Sequence, residues 1–336
     1  MKRIFCVLLA VFLLTGCLPY LPNQQYSTTY LDVFDTVTTI VGQTESQSAF
    51  SAAAASIHDA LLEYHRLFDI YNEYDGLVNL KIVNEQAGIA PIRVDSKIIA
   101  LLQTCRQIEK LTNGKVNAAM GSVLQLWHQA RTAGLADPNN ATLPSRQALE
   151  EAAKHTNFDS VVIDETNATV FFADPQLQLD VGAIAKGWAV QQVAKSAPKG
   201  LLISVGGNVV ATGPKDEKGT PWKVGIQNPS GNGYLHTVKL TGGCLATSGD
   251  YQRTYTVDGK AYHHIIDPTT LYPCELWRSV TVYCADSGMA DALTTALFLM
   301  SKEEGEALLQ QCNALALWID RAGQQFYSPG LAEYLK

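Results

Sequence analysis

Apolar residues recur at helical spacing in two stretches of the first half of the chain. Residues 47–70 and 96–112 carry apolar side chains three or four positions apart, a period that predicts amphipathic helices. Gly114 follows the second stretch and is typical of a helix stop. The same kind of pattern predicts further helices over 183–197 and 290–311.

The second half is richer in strand patterns. Short apolar and β-branched runs separated by Gly, Asn or Asp predict strands, and they read SVVID, ATVFF, LQLDV, LLISV, WKVGI, HTVKL, RTYTV and SVTVYC. Strands and helices do not alternate strictly, as they would in a doubly wound parallel sheet. We therefore predict an α+β fold with a mostly antiparallel sheet and packed helices.

The first residues look like a bacterial lipoprotein signal. A positively charged start precedes an apolar run over 4–14, which is too short to span a membrane, and LTGC ends at Cys17. We expect a signal peptide over 1–16, lipidation of Cys17, and a polar tether of little structure over 17–29. An uncleaved signal anchor is the alternative. The expected location is the extracytoplasmic face of the cell membrane.

Charge and cysteine content exclude some classes of function. A formal charge of -7 argues against nucleic-acid binding, and an anionic ligand would need a local metal or local lysines. Five of the seven cysteines remain once Cys6 and Cys17 are set aside, so at least one cannot pair within the chain. None lies in a C-x-x-C motif, which argues against a zinc or dithiol site. Their pairing stays open.

Several short motifs carry candidate chemistry. DVGAIAKG (180–187) suits either a phosphate site or an ordinary helix start, and the paired glycines of VGGNVVATG (205–213) indicate a bulge or a close ligand. SGDYQRTY (248–255) is typical of a polar loop that leads into a hairpin. In ADALTTAL, Asp291 and Thr295 share one helix face, where two hard oxygens suit magnesium but also occur for structural reasons.

The motif YHHIIDP (262–268) places two histidines side by side at the end of a predicted strand. Neighbouring strand side chains point to opposite faces, so His263 and His264 are expected in different environments, one of them exposed. A cleft-facing histidine of ordinary pKa would make a rate rise between about pH 5.5 and 7.5. The pattern alone leaves open which histidine, if either, is catalytic.

Taken in order, these motifs resemble the ApbE family, the FAD:protein FMN transferases. The resemblance covers nearly all of 30–320 and rests on FDTVTTI, FDIYNEY, NAAMGSVLQLWH, DVGAIAKG, ISVGGNVVATG, LATSGDYQRTY, YHHIIDP and ADALTTAL. It implies a single α+β domain, related to the T-fold, over 30–336. It also implies Mg²⁺-dependent transfer of FMN from FAD, the substrate, to a Thr or Ser hydroxyl of an acceptor flavoprotein, with release of AMP. The implied acceptor is membrane-linked or extracytoplasmic.

The resemblance implies roles for individual residues. His264 matches the catalytic base, with His263 facing away from the cleft as a structural residue. Three positions match the magnesium ligands, namely Asp291, Thr295 and the main-chain oxygen of Ala183. The implied contacts to the flavin nucleotide are Phe34, Tyr71, Ala119, Met120, Gly121, Asp180, Lys186 and Ile265.

The chain departs from the family pattern twice, and two other functions compete. Phe34-Asp35-Thr36 stands where Met-Gly-Thr is usual, and DPTTLYP stands where Thr-Gly usually follows DP. An FAD pyrophosphatase, releasing FMN and AMP, would have nearly the same site, although Tyr71 favours transfer. A flavin-binding lipoprotein without catalysis would need no base, so His264 argues against it.

Overall fold

The computed structural model describes residues 24–335. Fifteen strands form in this range: β1 (Gln24–Val33), β2 (Thr36–Thr44), β3 (Ile92–Arg93), β4 (Val161–Asp164), β5 (Thr169–Phe172), β6 (Leu201–Val205), β7 (Asn208–Ala211), β8 (Trp222–Gln227), β9 (Tyr234–Leu240), β10 (Gly243–Gly249), β11 (Tyr255–Val257), β12 (Lys260–Tyr262), β13 (Ser279–Cys284), β14 (Leu315–Ile319) and β15 (Gln325–Tyr327).

Eight α-helices and four short 3-10 helices complete the described part of the chain. The α-helices are α1 (Gln47–Phe68), α2 (Leu80–Glu85), α3 (Ser96–Leu111), α4 (Gly121–Ala136), α5 (Arg146–Ala152), α6 (Ala185–Ser196), α7 (Ser287–Phe298) and α8 (Lys302–Cys312). The 3-10 helices are Pro138–Asn140, Ala153–His155, Phe158–Ser160 and Leu331–Glu333.

The main sheet has eight strands in the order β1-β2-β6-β7-β10-β13-β14-β15. Every neighbouring pair in it is antiparallel. Helices α1, α6 and α7 contact this sheet. The predicted α+β class with a mostly antiparallel sheet is therefore confirmed.

Apolar side chains on the two faces of the sheet belong to different clusters. Ile203 and Val280 pack with residues of α1, α6 and α7, while Leu245 and Leu317 pack with the separate β8–β9 hairpin. A third cluster joins α4 and α5 to the β11–β12 hairpin, where the Trp127 indole donates to the Leu271 carbonyl (3.0 Å). Residues of the first and third clusters contribute to the cavity between them.

The periodicity of the first half predicts its long helices well. Helix α1 buries the expected positions, including Phe50, Ile57 and Leu61, and its N-terminus is capped by the Ser46 hydroxyl. Helix α3 follows the predicted limits, and the chain turns at Gly114 in a left-handed conformation.

The prediction of continuous helix over 290–311 is wrong. Helices α7 and α8 are separate because Ser301 forms a capping box with Glu304 and starts a new helix. The predicted strand LQLDV also does not form. The side chain of Asn84 bonds both main-chain groups of Leu179 instead and takes the place of a neighbouring strand.

Residues 24–29, predicted as tether, belong to the edge strand β1. On this strand, Tyr26 stacks on Phe50 of α1 and Tyr30 stacks on His58 of α1. These contacts attach the strand to the fold. The signal peptide over 1–16 and Cys17 lie outside the described residues. Across 24–335, no helix combines the length and apolarity needed to cross a membrane. All five cysteines in this range are free thiols.

Candidate active site

A cavity of about 390 Å³ lies where α6 and α7 face the loops around the β11–β12 hairpin. Most residues predicted for the site line it, although they come from distant parts of the chain. They are Tyr71, Met120, Asp180, Ala183, Lys186, His264, Ile265, Asp291 and Thr295. A volume of this size is in the range of small-molecule sites.

Three predicted contacts are not among the lining residues. Ala119 is fully buried, and Gly121 is buried with its N–H donating to the Gln178 carbonyl (3.0 Å). Phe34 turns away in the two-residue turn between β1 and β2, where it and Asp35 both have positive φ. Asp35 and its neighbour Thr36 line the cavity in its place.

Asp291 and Gly187 fix the helical wall of the cavity. Asp291 is only 7% exposed, and its Oδ2 accepts from the Gly187 N–H (2.9 Å) and lies 3.8 Å from the Lys186 Nζ. A Cβ at position 187 would lie 2.3 Å from the Ser287 carbonyl oxygen. Glycine is therefore what lets α6 and α7 approach closely enough for this bond.

The donor set at this wall fits magnesium. Asp291 and Thr295 lie one turn apart on α7, and Ala183 lines the cavity beside them. Thr294, by contrast, bonds the Asp291 carbonyl (2.7 Å) and Ser248 (2.8 Å), so its hydroxyl is already used. Residues 24–335 hold no group of three or more His, Cys, Asp or Glu suited to a metal. An ion here would thus need main-chain, hydroxyl and substrate oxygens as well.

The start of α6 offers few free amides to a phosphate. The Asp180 carboxylate accepts from the Gly182 N–H (2.8 Å), and Ile184 and Ala185 donate to the Val181 carbonyl. The helix-start alternative for DVGAIAKG therefore fits better than a main-chain phosphate cradle. Lys186, whose Nζ donates to the Gly182 carbonyl (3.1 Å), supplies positive charge instead.

His264 lies on the loop wall with one ring nitrogen already occupied. Its Nδ1 donates to the Gln252 carbonyl (3.2 Å), which leaves Nε2 as the unprotonated nitrogen of the neutral ring. Solvent reaches the ring through the cavity, yet the surrounding walls limit its hydration. This desolvation, with the positive charges of Arg253 and Lys186, lowers the pKa of His264 to about 3. The His264 ring is therefore neutral at physiological pH.

His263 also lines the cavity, so its implied position facing away from the cleft is wrong, as is the exposure that strand alternation suggests for it, although its environment differs from that of His264. His263 is buried, its Nε2 donates to the Cys274 carbonyl (2.8 Å), and its Nδ1 accepts from the Ile265 N–H (3.2 Å). Both ring nitrogens are used, so it has no lone pair to offer a substrate. The two histidines follow β12 rather than lying in it, and for this reason strand alternation does not decide their exposure.

The charges around the cavity are more positive than the protein as a whole. Against a formal charge of -7 for the chain, its lining carries four permanent cations and three carboxylates. The cations are Lys115, Arg131, Lys186 and Arg253, and the carboxylates are Asp35, Asp180 and Asp291. A metal ion that neutralised some of these carboxylates would leave the cavity with a larger net positive charge, which would attract anions strongly.

Comparisons with known proteins identify the family of the chain. Residues 34–319 match the ApbE family. The chain belongs to the ApbE family. It is 34% identical over 284 residues to an FAD:protein FMN transferase of Treponema pallidum, covering 77% of this chain and 76% of that protein. An FAD:protein FMN transferase of Klebsiella pneumoniae is 31% identical over 268 residues, covering 76% and 80%.

Solved structures of ApbE proteins share the fold. The ApbE protein of Thermotoga maritima is 29% identical, with a TM-score of 0.81 over 93% of this chain and 99% of that chain. The flavin transferase ApbE of Vibrio cholerae, at 23% identity, superposes with a TM-score of 0.76 over 93% and 100%.

The structure adds residues to the ApbE site that the sequence patterns miss. Asn208 is 3% exposed and lines the cavity, and its Oδ1 has no hydrogen-bond partner among residues 24–335. Gly206 and Gly207 form the two-residue turn before it, both with positive φ, rather than a bulge, and Gly206 lines the cavity, which fits the alternative of a close ligand. The only sign of Asn208 in the sequence is that a polar residue follows the paired glycines, and this does not predict a buried amide.

An aromatic pair forms another part of the cavity wall in this ApbE protein. Tyr71 stacks on His128 with ring centroids 4.6 Å apart and an interplanar angle of 26°. Desolvation and the nearby Arg131 lower the pKa of His128, so its ring is neutral. Tyr71 is 48% exposed and presents a flat surface on which a planar ligand can stack.

Proposed function

We propose that this protein transfers FMN from FAD to a hydroxyl of an acceptor protein, with Mg²⁺ required. Membership of the ApbE family and the two FAD:protein FMN transferases described above support the activity. The observation that carries it is the convergence of His264, on the loop after β12, with Asp291 and Thr295 of α7 on one cavity. A binding protein would not need a desolvated base there.

In the proposed reaction, His264 acts as the general base. The hydroxyl oxygen of the acceptor Thr or Ser forms a bond to the phosphorus next to riboflavin, and the phosphoanhydride bond to AMP breaks. His264 Nε2 takes the hydroxyl proton, because Nδ1 is held by the Gln252 carbonyl. A positioned base of this kind contributes about 10²–10⁴-fold. AMP leaves with the electron pair of the broken bond.

The remaining charged residues bind and orient the anionic substrate. Asp291, Thr295 and the Ala183 carbonyl would hold Mg²⁺, whose chemistry is to withdraw charge from the phosphoryl oxygens. Lys186 and Arg253 add positive charge beside the same region. The orphaned Oδ1 of Asn208 supplies an acceptor for a hydroxyl or N–H of the bound flavin nucleotide.

One incubation separates transfer from its rivals. The full chain is mixed with FAD, Mg²⁺ and an acceptor flavoprotein domain, and the products are read by mass spectrometry and nucleotide chromatography. Transfer gives covalent FMN on the acceptor with one AMP per flavin. Free FMN and AMP would indicate a pyrophosphatase, and unchanged FAD a binding protein.

We also propose that the protein is a lipoprotein, anchored through Cys17 on the extracytoplasmic face of the cell membrane. The sequence LTGC after a short apolar run supports the anchor. The acceptor would then be membrane-linked or extracytoplasmic. Release of a Cys17→Ser variant from membranes is the expected result, and continued attachment of the processed variant would contradict the anchor.

A further inference from the structure

We propose that Asp69, Tyr74 and His65 are positioning residues, forming a hydrogen-bonded network that holds Tyr71 and the β1–β2 turn on the cavity wall. This inference rests on the proposed function, since it concerns how the same site orients its flavin substrate. None of the three side chains lines the cavity, so any effect on the reaction must pass through the residues they hold.

Asp69 organises the segment that carries Tyr71. It follows the last residue of α1 and is 8% exposed, and its Oδ1 accepts from the N–H groups of Tyr71 (2.7 Å) and Asn72 (3.1 Å). Its Oδ2 accepts from the Asn72 side-chain amide (3.0 Å) and the Tyr74 hydroxyl (2.7 Å). Four donors thus fold residues 69–74 around one buried carboxylate.

Tyr74 and His65 extend this network to the β1–β2 turn. His65 Nδ1 accepts from the Phe34 N–H (3.1 Å), so the neutral ring carries its proton on Nε2. His65 Nε2 then donates to the Tyr74 hydroxyl (3.3 Å), and that hydroxyl donates to Asp69. The hydrogen bonds of the network therefore all point one way, from Phe34 through His65 and Tyr74 to Asp69.

The two ends of the network are both attached to the cavity. At one end Tyr71 lines the cavity and stacks on His128, and at the other end Asp35 and Thr36 line it next to Phe34. Tyr71 and the turn therefore share one set of hydrogen bonds behind the wall. Loss of one link would let both surfaces shift against the bound flavin nucleotide.

Burial and charge show that the arrangement is held firmly. Burial would raise the pKa of Asp69, but hydrogen bonds from Asn72, Tyr71 and Tyr74 outweigh it and keep the pKa below its usual range. Removing the carboxylate would leave several part-buried donors without an acceptor, which costs more than the loss of one average bond. Residues 69–74 would then rearrange rather than keep their path.

The test compares Asp69→Ala with a control of the same local geometry. Asp164 binds Asn167, three residues on, through the main-chain N–H (3.0 Å) and the side-chain amide (2.7 Å), as Asp69 binds Asn72. It lies at the end of β4 and does not line the cavity. For Asp69→Ala, Asp69→Asn, Tyr74→Phe and Asp164→Ala we would measure Tm, the Kd for FAD by flavin fluorescence, and kcat and KM for transfer.

Asp69→Ala should lower kcat/KM by about 10- to 100-fold, as expected for misplaced substrate, and should weaken FAD binding measurably. Asp69→Asn retains an oxygen for the Tyr71 and Asn72 N–H groups and should rescue part of the loss. Tyr74→Phe removes the hydroxyl that bonds both His65 and Asp69 but leaves the Tyr71 and Asn72 N–H groups their acceptor, so a smaller effect in the same direction is expected. Asp164→Ala is expected to change Tm only. Its Kd for FAD and its kcat/KM should stay within about twofold of the wild type.

Equal FAD affinity and kcat/KM in Asp69→Ala and Asp164→Ala, well below their Tm values, would show that Asp69 only stabilises the fold. If Asp69→Ala does not fold, unchanged constants in Tyr74→Phe and Asp69→Asn lead to the same conclusion. A wild type that forms no covalent flavin would defeat the proposed function instead. The FAD affinities would still test the network in that case.

Discussion

One wall of the cavity consists of two packed helices, and the opposite wall consists of loops on either side of a short hairpin. On the helical wall, Asp291 is nearly buried and bonds the main chain of α6 at Gly187. On the loop wall, Arg253 has a left-handed backbone and His264 is held through a single carbonyl. The helical wall cannot move without disturbing the core, whereas the loop wall can adapt to a substrate.

This contrast separates the effects expected from substitutions. Changes on the helical wall should alter both stability and activity, because the same contacts serve the fold and the proposed Mg²⁺ site. A change at His264 on the loop wall should act on the chemistry with little effect on Tm.

The largest effect is expected from Asp291. Asp291→Ala should reduce Mg²⁺-dependent transfer by about 10³-fold or more, since metal assistance is worth several kcal/mol. It should also lower stability, because the Gly187 N–H loses its acceptor. Asp291→Asn keeps an oxygen at that place and should recover stability but not activity. Undiminished transfer by either variant at low Mg²⁺ would remove Asp291 from the ion site.

A smaller effect, on stability first, is expected at Gly187. In Gly187→Ala the new methyl group would meet the Ser287 carbonyl and Asp291 Cβ, 2.3 and 2.4 Å away. Forcing α6 and α7 apart should cost about 1–3 kcal/mol in the free energy of unfolding and lower transfer as well. Gly242→Ala is the control, because nothing lies within 4 Å of its Cβ. Denaturant unfolding that is equal for both variants would contradict the close helix contact.

The pH dependence should be the mildest effect. Because desolvation and neighbouring cations lower the pKa of His264 to about 3, kcat/KM should stay nearly flat between about pH 6 and 8. For an ordinary histidine, kcat/KM would rise between about pH 5.5 and 7.5. Here the loss of kcat/KM through protonation of His264 should instead occur below that range of pH. A rate that climbs through that window in the wild type would contradict the lowered pKa.

The same pKa difference has a consequence for stability. Between about pH 3 and 6.5 an unfolded His264 binds a proton that the folded one does not, so the free energy of unfolding falls as pH falls. His264→Ala should weaken this slope, as measured by denaturant titrations at several pH values. An unchanged slope would argue against a desolvated ring.

Sequence patterns predict those helices and strands whose buried side chains recur at one regular spacing along the chain. Helices α1 and α3 and strands such as β6 and β13 match because their apolar side chains face one core. Edge strand β1 is missed because it is mostly polar and exposed, with only Val33 fully buried and its two tyrosines partly so. The LQLDV prediction fails because a side chain, Asn84, replaces the neighbouring strand.

The site shows a similar limit. The motifs predict that Asp291, Thr295 and His264 meet at one site, and the three residues do line one cavity, because residue type and order suffice for that prediction. The burial of His263, the orphaned oxygen of Asn208 and the network behind Tyr71 depend on hydrogen bonds between distant segments. No local pattern contains that information.

The role of His264 as the base is tested most directly by the rate of FMN transfer in His264→Ala and His263→Ala, measured at equal FAD occupancy. His264→Ala should lose about two or more orders of magnitude while keeping FAD affinity and Tm close to the wild type. His263→Ala removes two buried hydrogen bonds, so it should lower stability by about 1–3 kcal/mol but transfer at a near-normal rate when folded. Wild-type rates in His264→Ala, or a chemical defect confined to His263→Ala, would contradict the assignment of His264 as the base.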